Sequence, residues 1–167
     1  SLREAKDRVR AAIVNSGFKF PEKKLIVALA PAETRKEGSG FDLGMALAIL
    51  IAGEQTAPKR LSGTVFLGEL ALDGRIRPVR GVLPLLLAAR ETGFARAVVP
   101  AANAREAALV DGLDIGAASS LGEVVSWLSG DAVLDGPPDG DDGCPPPIPD
   151  MADVVGQSQA RHAMEVA

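Results

Sequence analysis

The sequence predicts an α/β domain followed by a flexible linker, and three observations carry that prediction. Helical patterns with one apolar face alternate with short apolar runs of strand length. An Asp73-Gly74 pair lies between two strand-like segments. From residue 130 to 149, in GDAVLDGPPDGDDGCPPPIP, Gly, Pro and Asp displace the side chains that could bury surface. A chain of 167 residues suits one domain with an appendage and is long enough for a proper core.

In chain order, Leu2, Ala5, Val9, Ala12 and Ile13 share one helical face, Ser1 and Glu4 have capping-box spacing, and Gly17 marks the stop. Residues 25–30, LIVALA, are a continuous apolar run ended by Pro31, as in a strand covered on both faces. Residues 42–52 are apolar almost all round, which predicts a buried helix. Asp42 at its N-terminus would accept orphan N–H groups and complement the helix dipole. Residues 64–72 and 75–79 predict a hairpin in which both Asp73 and Gly74 take φ > 0. A second apolar helix spans 82–92, with Pro84 in its first turn and Gly93 as its stop. Then come a short strand at 97–99, a helix over 103–110 capped by Asn103 and Glu106, a strand near 113–117 and a helix over 121–129. After the linker, Ala160, Ala163, Met164 and Ala167 resume a helical period.

Aromatic residues are only 4% of the chain and there is no tyrosine, so aliphatic side chains must build the core and stacking on bases is a poor mode of action. The net charge of −4 conceals two unlike parts. Residues 1–105 hold 17 Lys and Arg against 10 Asp and Glu, a net +7, whereas residues 106–160 hold 11 acidic residues and no basic one. The folded body is therefore able to meet a phosphate backbone despite the acidic total. A single Cys144 excludes an internal disulfide framework and a cysteine-rich zinc site, and suits a reducing compartment. No apolar run reaches the roughly 20 residues a bilayer span needs, and the charged N-terminus lacks a signal-peptide core, which together predict a cytoplasmic protein without a membrane partner. The missing initiator methionine and the stop inside a helical pattern at Glu165-Val166-Ala167 predict a piece of something longer.

Several motifs carry little chemistry. Gly38-Ser39-Gly40 lacks the Gly-Lys-Ser/Thr continuation of a P-loop. His162 lies across the linker from every candidate nucleophile, and Cys144 sits among prolines with no positive neighbour. Asp139, Asp141 and Asp142 lack the closing glutamate of a calcium loop. Arg75 and Arg77, at alternate strand positions, point to one side, and with Arg80 they form either a phosphate-contacting stripe or a solvated or intersubunit face.

The succession Ala30-Pro31-Ala32-Glu33-Thr34-Arg35-Lys36-Glu37-Gly38, then Asp42-Leu43-Gly44-Met45-Ala46, then 68–81 (GELALDGRIRPVRG) resembles the protease domain of Lon. Within that superfamily, residues 7–13 (DRVRAAI), Asn15-Ser16-Gly17 and Phe20-Pro21 resemble the YifB/ComM family of magnesium-chelatase-like AAA+ proteins, and residues 150–157 (DMADVVGQ) resemble the entry to that family's AAA+ module. The resemblance implies a Lon-protease-like fold of the ribosomal protein S5 domain 2-like type, a mixed sheet with packed helices. It divides the chain into a Lon-like (ChlI-type) domain at 1–130 without the family's N-terminal strands, an acidic linker at 131–149 and a truncated AAA+ start at 150–167. An exposed sheet edge would follow from the missing strands.

Lon-type peptidases need a serine activated by a lysine, since a hydroxyl is a poor nucleophile without a base. The resemblance sets Asp42 at the serine position and Leu83 at the lysine position, and no lysine follows Lys59. Ser39 with Lys36, three residues apart in a glycine-flanked loop, is no substitute. The fragment is thus expected to have no catalytic, cofactor or metal residues. The resemblance further implies an ATP- and Mg-dependent motor for the whole protein, a homo-hexamer, with DNA branch migration in natural transformation. The alternatives are a Lon-type peptidase, disfavoured by the absent dyad, and a magnesium-chelatase subunit, for which no porphyrin site is visible.

Overall fold

The computed structural model describes residues 2–22, 25–27 and 40–137. The elements are α1 (Leu2–Asn15), α2 (Asp42–Ala52), β1 (Thr64–Phe66), β2 (Glu69–Leu70), β3 (Ile76–Arg77), α3 (Val82–Glu91), β4 (Arg96–Pro100), α4 (Ala104–Ala107), β5 (Asp114–Ala118) and α5 (Leu121–Ser129), with a 3-10 turn at Ala101–Asn103. The α/β class follows directly from this order. Ser1 of the expected capping pair, residues 28–39 with the end of the apolar run, Lys36 and Ser39, and everything from residue 138 onward, Cys144 and His162 included, lie outside the described residues.

Strands β1, β4 and β5 form a parallel sheet in the order β1-β4-β5. Each strand alternates faces, which divides the core. Val98 joins the cluster built by Val9 and Ile13 of α1, Leu43, Leu47 and Leu50 of α2, and Leu121 and Leu128 of α5. Ala97 and Val99 join a second cluster with Val82 and Leu86 of α3 and Ala107. The sheet is covered on both faces, as its near-continuous apolar strands require. Among the described residues, β1 is paired on one side only.

The expected hairpin is shorter and differently turned. Residues 64–72 split into β1 and β2 at Leu67-Gly68, where Leu67 N–H donates to the Val98 carbonyl and Gly68 N–H to that of Gly40. A side chain at position 68 would have its Cβ 2.8 Å from Ile76 Cγ2, so only glycine lets the two ladders cross so closely. The antiparallel pair β2-β3 is a separate two-stranded ladder, not part of one mixed sheet. Its turn is also not the expected one: Gly74 has φ of 84°, whereas Asp73 is absent from the positive-φ residues. Gly74 N–H donates to the Ala71 carbonyl and Ala71 N–H to that of Arg75, which makes a three-residue loop closed by a left-handed glycine. The Asp73 carboxylate takes the Arg75 N–H at 3.1 Å, an Asx-type contact that favours this loop over the two-residue turn.

Residues 25–27 belong to no ladder among the described residues. Leu25 and Val27 pack on the first cluster while Ile26 is 85% exposed, so these three residues alternate in and out, and residues 28–30 of the expected strand lie outside the described residues. At the other end, packing continues past Gly130. Arg60 donates to the Ala132 carbonyl at 2.9 Å and stacks on Trp127, Leu134 lies over Gly116, and Ala117 N–H donates to the Asp135 carbonyl at 2.8 Å.

Candidate functional site

The hairpin turns one face inward and one outward. Leu70 and its register partner Ile76 face the core, so Glu69 and its partner Arg77 face out, and Arg75, two residues earlier, faces out with them. Arg75 and Arg77 line a shallow cleft of about 520 Å³ with Ala71, Leu72, Asp73, Ile76 and Pro78. The pointing of Arg75 and Arg77 to one side is as the alternation predicts. Sequence reasoning missed their counterions: Arg75 Nε lies 2.7 Å from Asp73 Oδ2, and Arg77 Nη1 lies 4.0 Å from Glu69 Oε1. The Arg75 main-chain N–H, and then its guanidinium, hold the Asp73 carboxyl below the usual aspartate range.

Arg80 is exposed at the exit of this hairpin, just before α3. The segment is fixed by Asn103 and Glu106, which do not cap their own helix as expected. Asn103 makes no side-chain capping bond to α4. Its Oδ1 accepts from Val79 N–H at 2.9 Å and its Nδ2 donates to the Val79 carbonyl at 3.0 Å. Glu106 accepts from Asn103 Nδ2 and from Leu83 N–H at 3.1 Å, so it caps α3. The spacing that suggested a local cap instead ties two successive helices together.

Asp42 is 1% exposed and accepts from Arg8 Nε at 2.6 Å, Arg8 Nη2 at 3.0 Å and Leu70 N–H at 3.3 Å. The expected cap of its own helix is absent: α2 has Phe41 at its N-cap and no side-chain capping bond. The carboxylate instead joins α1, α2 and β2, and its hydrogen bond raises the Arg8 pKa. Leu83 is half-buried against the second core cluster. Position 42 thus carries no serine hydroxyl and position 83 no lysine amine. Among the described residues no group of His, Cys, Asp and Glu converges as a metal site. A separate groove of about 360 Å³ is lined by Leu25, Ile26, Val27, Phe41, Met45 and Phe66 among others, with no titratable side chain among the described residues that line it. No helix among the described residues is long and apolar enough to cross a membrane.

The family model described as "Subunit ChlI of Mg-chelatase" matches residues 1–103, so the chain belongs to the magnesium-chelatase ChlI-like family. An uncharacterized Mycobacterium tuberculosis protein is 50% identical over 167 residues, 100% of this chain and 33% of its own length. YifB of Salmonella typhimurium is 38% identical over 99% of the chain and 33% of its own length, and the competence protein ComM of Haemophilus influenzae is 37% identical over 100% and 34%. The chain therefore spans about a third of these relatives. The Lon protease of Rhizobium meliloti matches less of it, at 28% identity over 75% of the chain.

Proposed function

We propose that the chain is a non-catalytic, Lon-like part of a magnesium-chelatase-like AAA+ ATPase that acts on DNA, and that Arg75, Arg77 and Arg80 meet the phosphate backbone. The observation that carries it is the fate of position 42: the residue standing where Lon enzymes have their nucleophile is a buried carboxylate held by Arg8. Arg75, Arg77 and Arg80 are three exposed cations that the hairpin and its exit bring close together in sequence. The name of the ComM relative, a competence protein, supports a role in DNA uptake and recombination, and branch migration by a cytoplasmic hexamer is the activity we assign to the whole protein. This chain offers no phosphate-binding loop ending in Gly-Lys-Ser/Thr, so ATP and Mg do not fit the residues present and belong to the remainder of the protein.

The test is electrophoretic DNA binding by the full-length protein, by a version lacking residues 1–130 and by the Arg75→Ala/Arg77→Ala/Arg80→Ala variant. Weaker, less salt-sensitive binding by both variants is expected, since each phosphate contact contributes about 0.9 to the logarithmic salt slope. Unchanged binding and oligomerisation would refute the assignment. The description of the family model favours a second reading, a magnesium-chelatase subunit, which predicts porphyrin metallation when partner subunits are added.

A further inference from the structure

The two outward arginines of the hairpin each lie beside a carboxylate of the same hairpin. Arg75 and Asp73 are two residues apart with side chains 80% and 49% exposed, and Arg77 and Glu69 are cross-strand partners. Both pairs are therefore wet. A solvated pair of this kind is favoured over its open form by only roughly twofold to fivefold. A phosphate offers a guanidinium two parallel charge-assisted hydrogen bonds and competes well against a partner held so lightly.

Resting on the reading that this face meets a phosphate backbone, we propose that Asp73 and Glu69 are built-in competitors that keep Arg75 and Arg77 charge-paired until a polyanion displaces them. Binding is then an exchange of partners: Arg75 leaves Asp73, Arg77 leaves Glu69, and both turn to adjacent phosphates. Arg80, which has no carboxylate partner among the described residues, makes the first contact. An isolated anion gains too little to open two pairs at once, whereas a backbone presents one charge per roughly 3.4 Å of each strand. The cleft is lined by aliphatic and charged side chains with no aromatic ring, so it grips charge without stacking on bases. The ligand class is a nucleic-acid backbone bound without sequence preference. The Asp73 carboxyl, held ionised by Arg75, stays in competition across the whole neutral range.

The experiment measures binding of a fluorescein-labelled duplex by anisotropy, using the full-length protein and its Asp73→Asn and Glu69→Gln variants. Asparagine keeps an acceptor for the Arg75 main-chain N–H, so the turn survives, and Glu69→Gln leaves the turn untouched altogether. Asp73→Asn is expected to tighten binding roughly twofold to fivefold, and Glu69→Gln by less, because its pair is the longer one. In an Arg75→Ala background the gain from Asp73→Asn should vanish. No tightening in either variant, or a gain that persists without Arg75 and so reports net charge alone, overturns the competition. If the triple arginine variant binds as tightly as the parent, the underlying assignment of the face fails instead.

Discussion

Removing the charge of Arg8 tests whether position 42 has become a structural tie. In Arg8→Met the aliphatic stem is kept, and Asp42 is left as a carboxylate at 1% exposure with a single main-chain donor, Leu70 N–H at 3.3 Å. Breaking a buried pair from one side costs about 3–5 kcal/mol, because the remaining charge is uncompensated. The Arg8 side chain is 27% exposed, so water reaches one end of the pair and the lower figure, about 3 kcal/mol, applies. Against a urea dependence of about 1–3 kcal/mol per molar for a small domain, the unfolding midpoint should fall by roughly 1–3 M. Fluorescence of Trp127, the one tryptophan and a core residue at 9% exposure, reports the transition. The double variant Arg8→Met/Asp42→Asn removes both charges and should recover at least half of the loss, since burying a neutral amide costs far less than burying an uncompensated carboxylate. A single-variant cost under about 1 kcal/mol, the range of a surface pair, would refute the reasoning. So would a double variant whose cost equals the sum of the two singles.

Restoring a serine by Asp42→Ser should lower stability and give no peptidase, and a serine-directed fluorophosphonate should leave position 42 unlabelled, because Leu83 supplies no base. Glu106→Ala uncaps α3 and should cost about 1 kcal/mol, with faster hydrogen exchange at the Leu83 amide. Asn103→Ala strips both polar groups of Val79 and should cost about 2 kcal/mol. The depressed pKa of Asp73 means that its ion pair supports the folded state above the ordinary aspartate range and is lost only as pH falls through the lower, folded value. Carboxyl NMR should therefore show the Asp73–Arg75 contact unchanged through neutral pH and opening only below the ordinary aspartate range.

What the sequence made legible was local. Helix α5 was legible over 121–129, and the structure adds what the pattern did not single out, a Ser120-Leu121-Gly122-Glu123 capping box whose serine accepts from Glu123 N–H. Its bounds match the periodicity. The strands β4 and β5 were legible as short apolar runs, and their parallel pairing follows from the helices between them. The split at Gly68 was not legible, because one unbroken β-pattern served two ladders that only the crossing with Ile76 separates. Nor was the partner of Asp42. Arg8 lies 34 residues away, and nothing in a helical pattern says which buried charge another helix will meet. Asn103 and Glu106 show the same limit in milder form: their spacing marked a capping pair, yet the turn they satisfy, at Val79 and Leu83, belongs to the preceding helix. The arginine face was legible through alternation, but its counterions were not singled out. An Asp two residues before an Arg across a Gly turn was the available signal for the first of them.

The strap of chain from Ala132 to Asp135 has a mechanical meaning. It lies along β5, held at its far end by one backbone hydrogen bond and one leucine side chain, so tension on the following residues is delivered to the edge of the sheet and peels it one contact at a time. The next point of resistance is the Arg60 guanidinium, anchored both on the Ala132 carbonyl and on the ring of Trp127. Pulling there loads the first core cluster directly, through Trp127. The domain thus has a soft stage and a stiff stage in series at the point where its chain departs, and a modest tug unfastens the strap before it strains the fold.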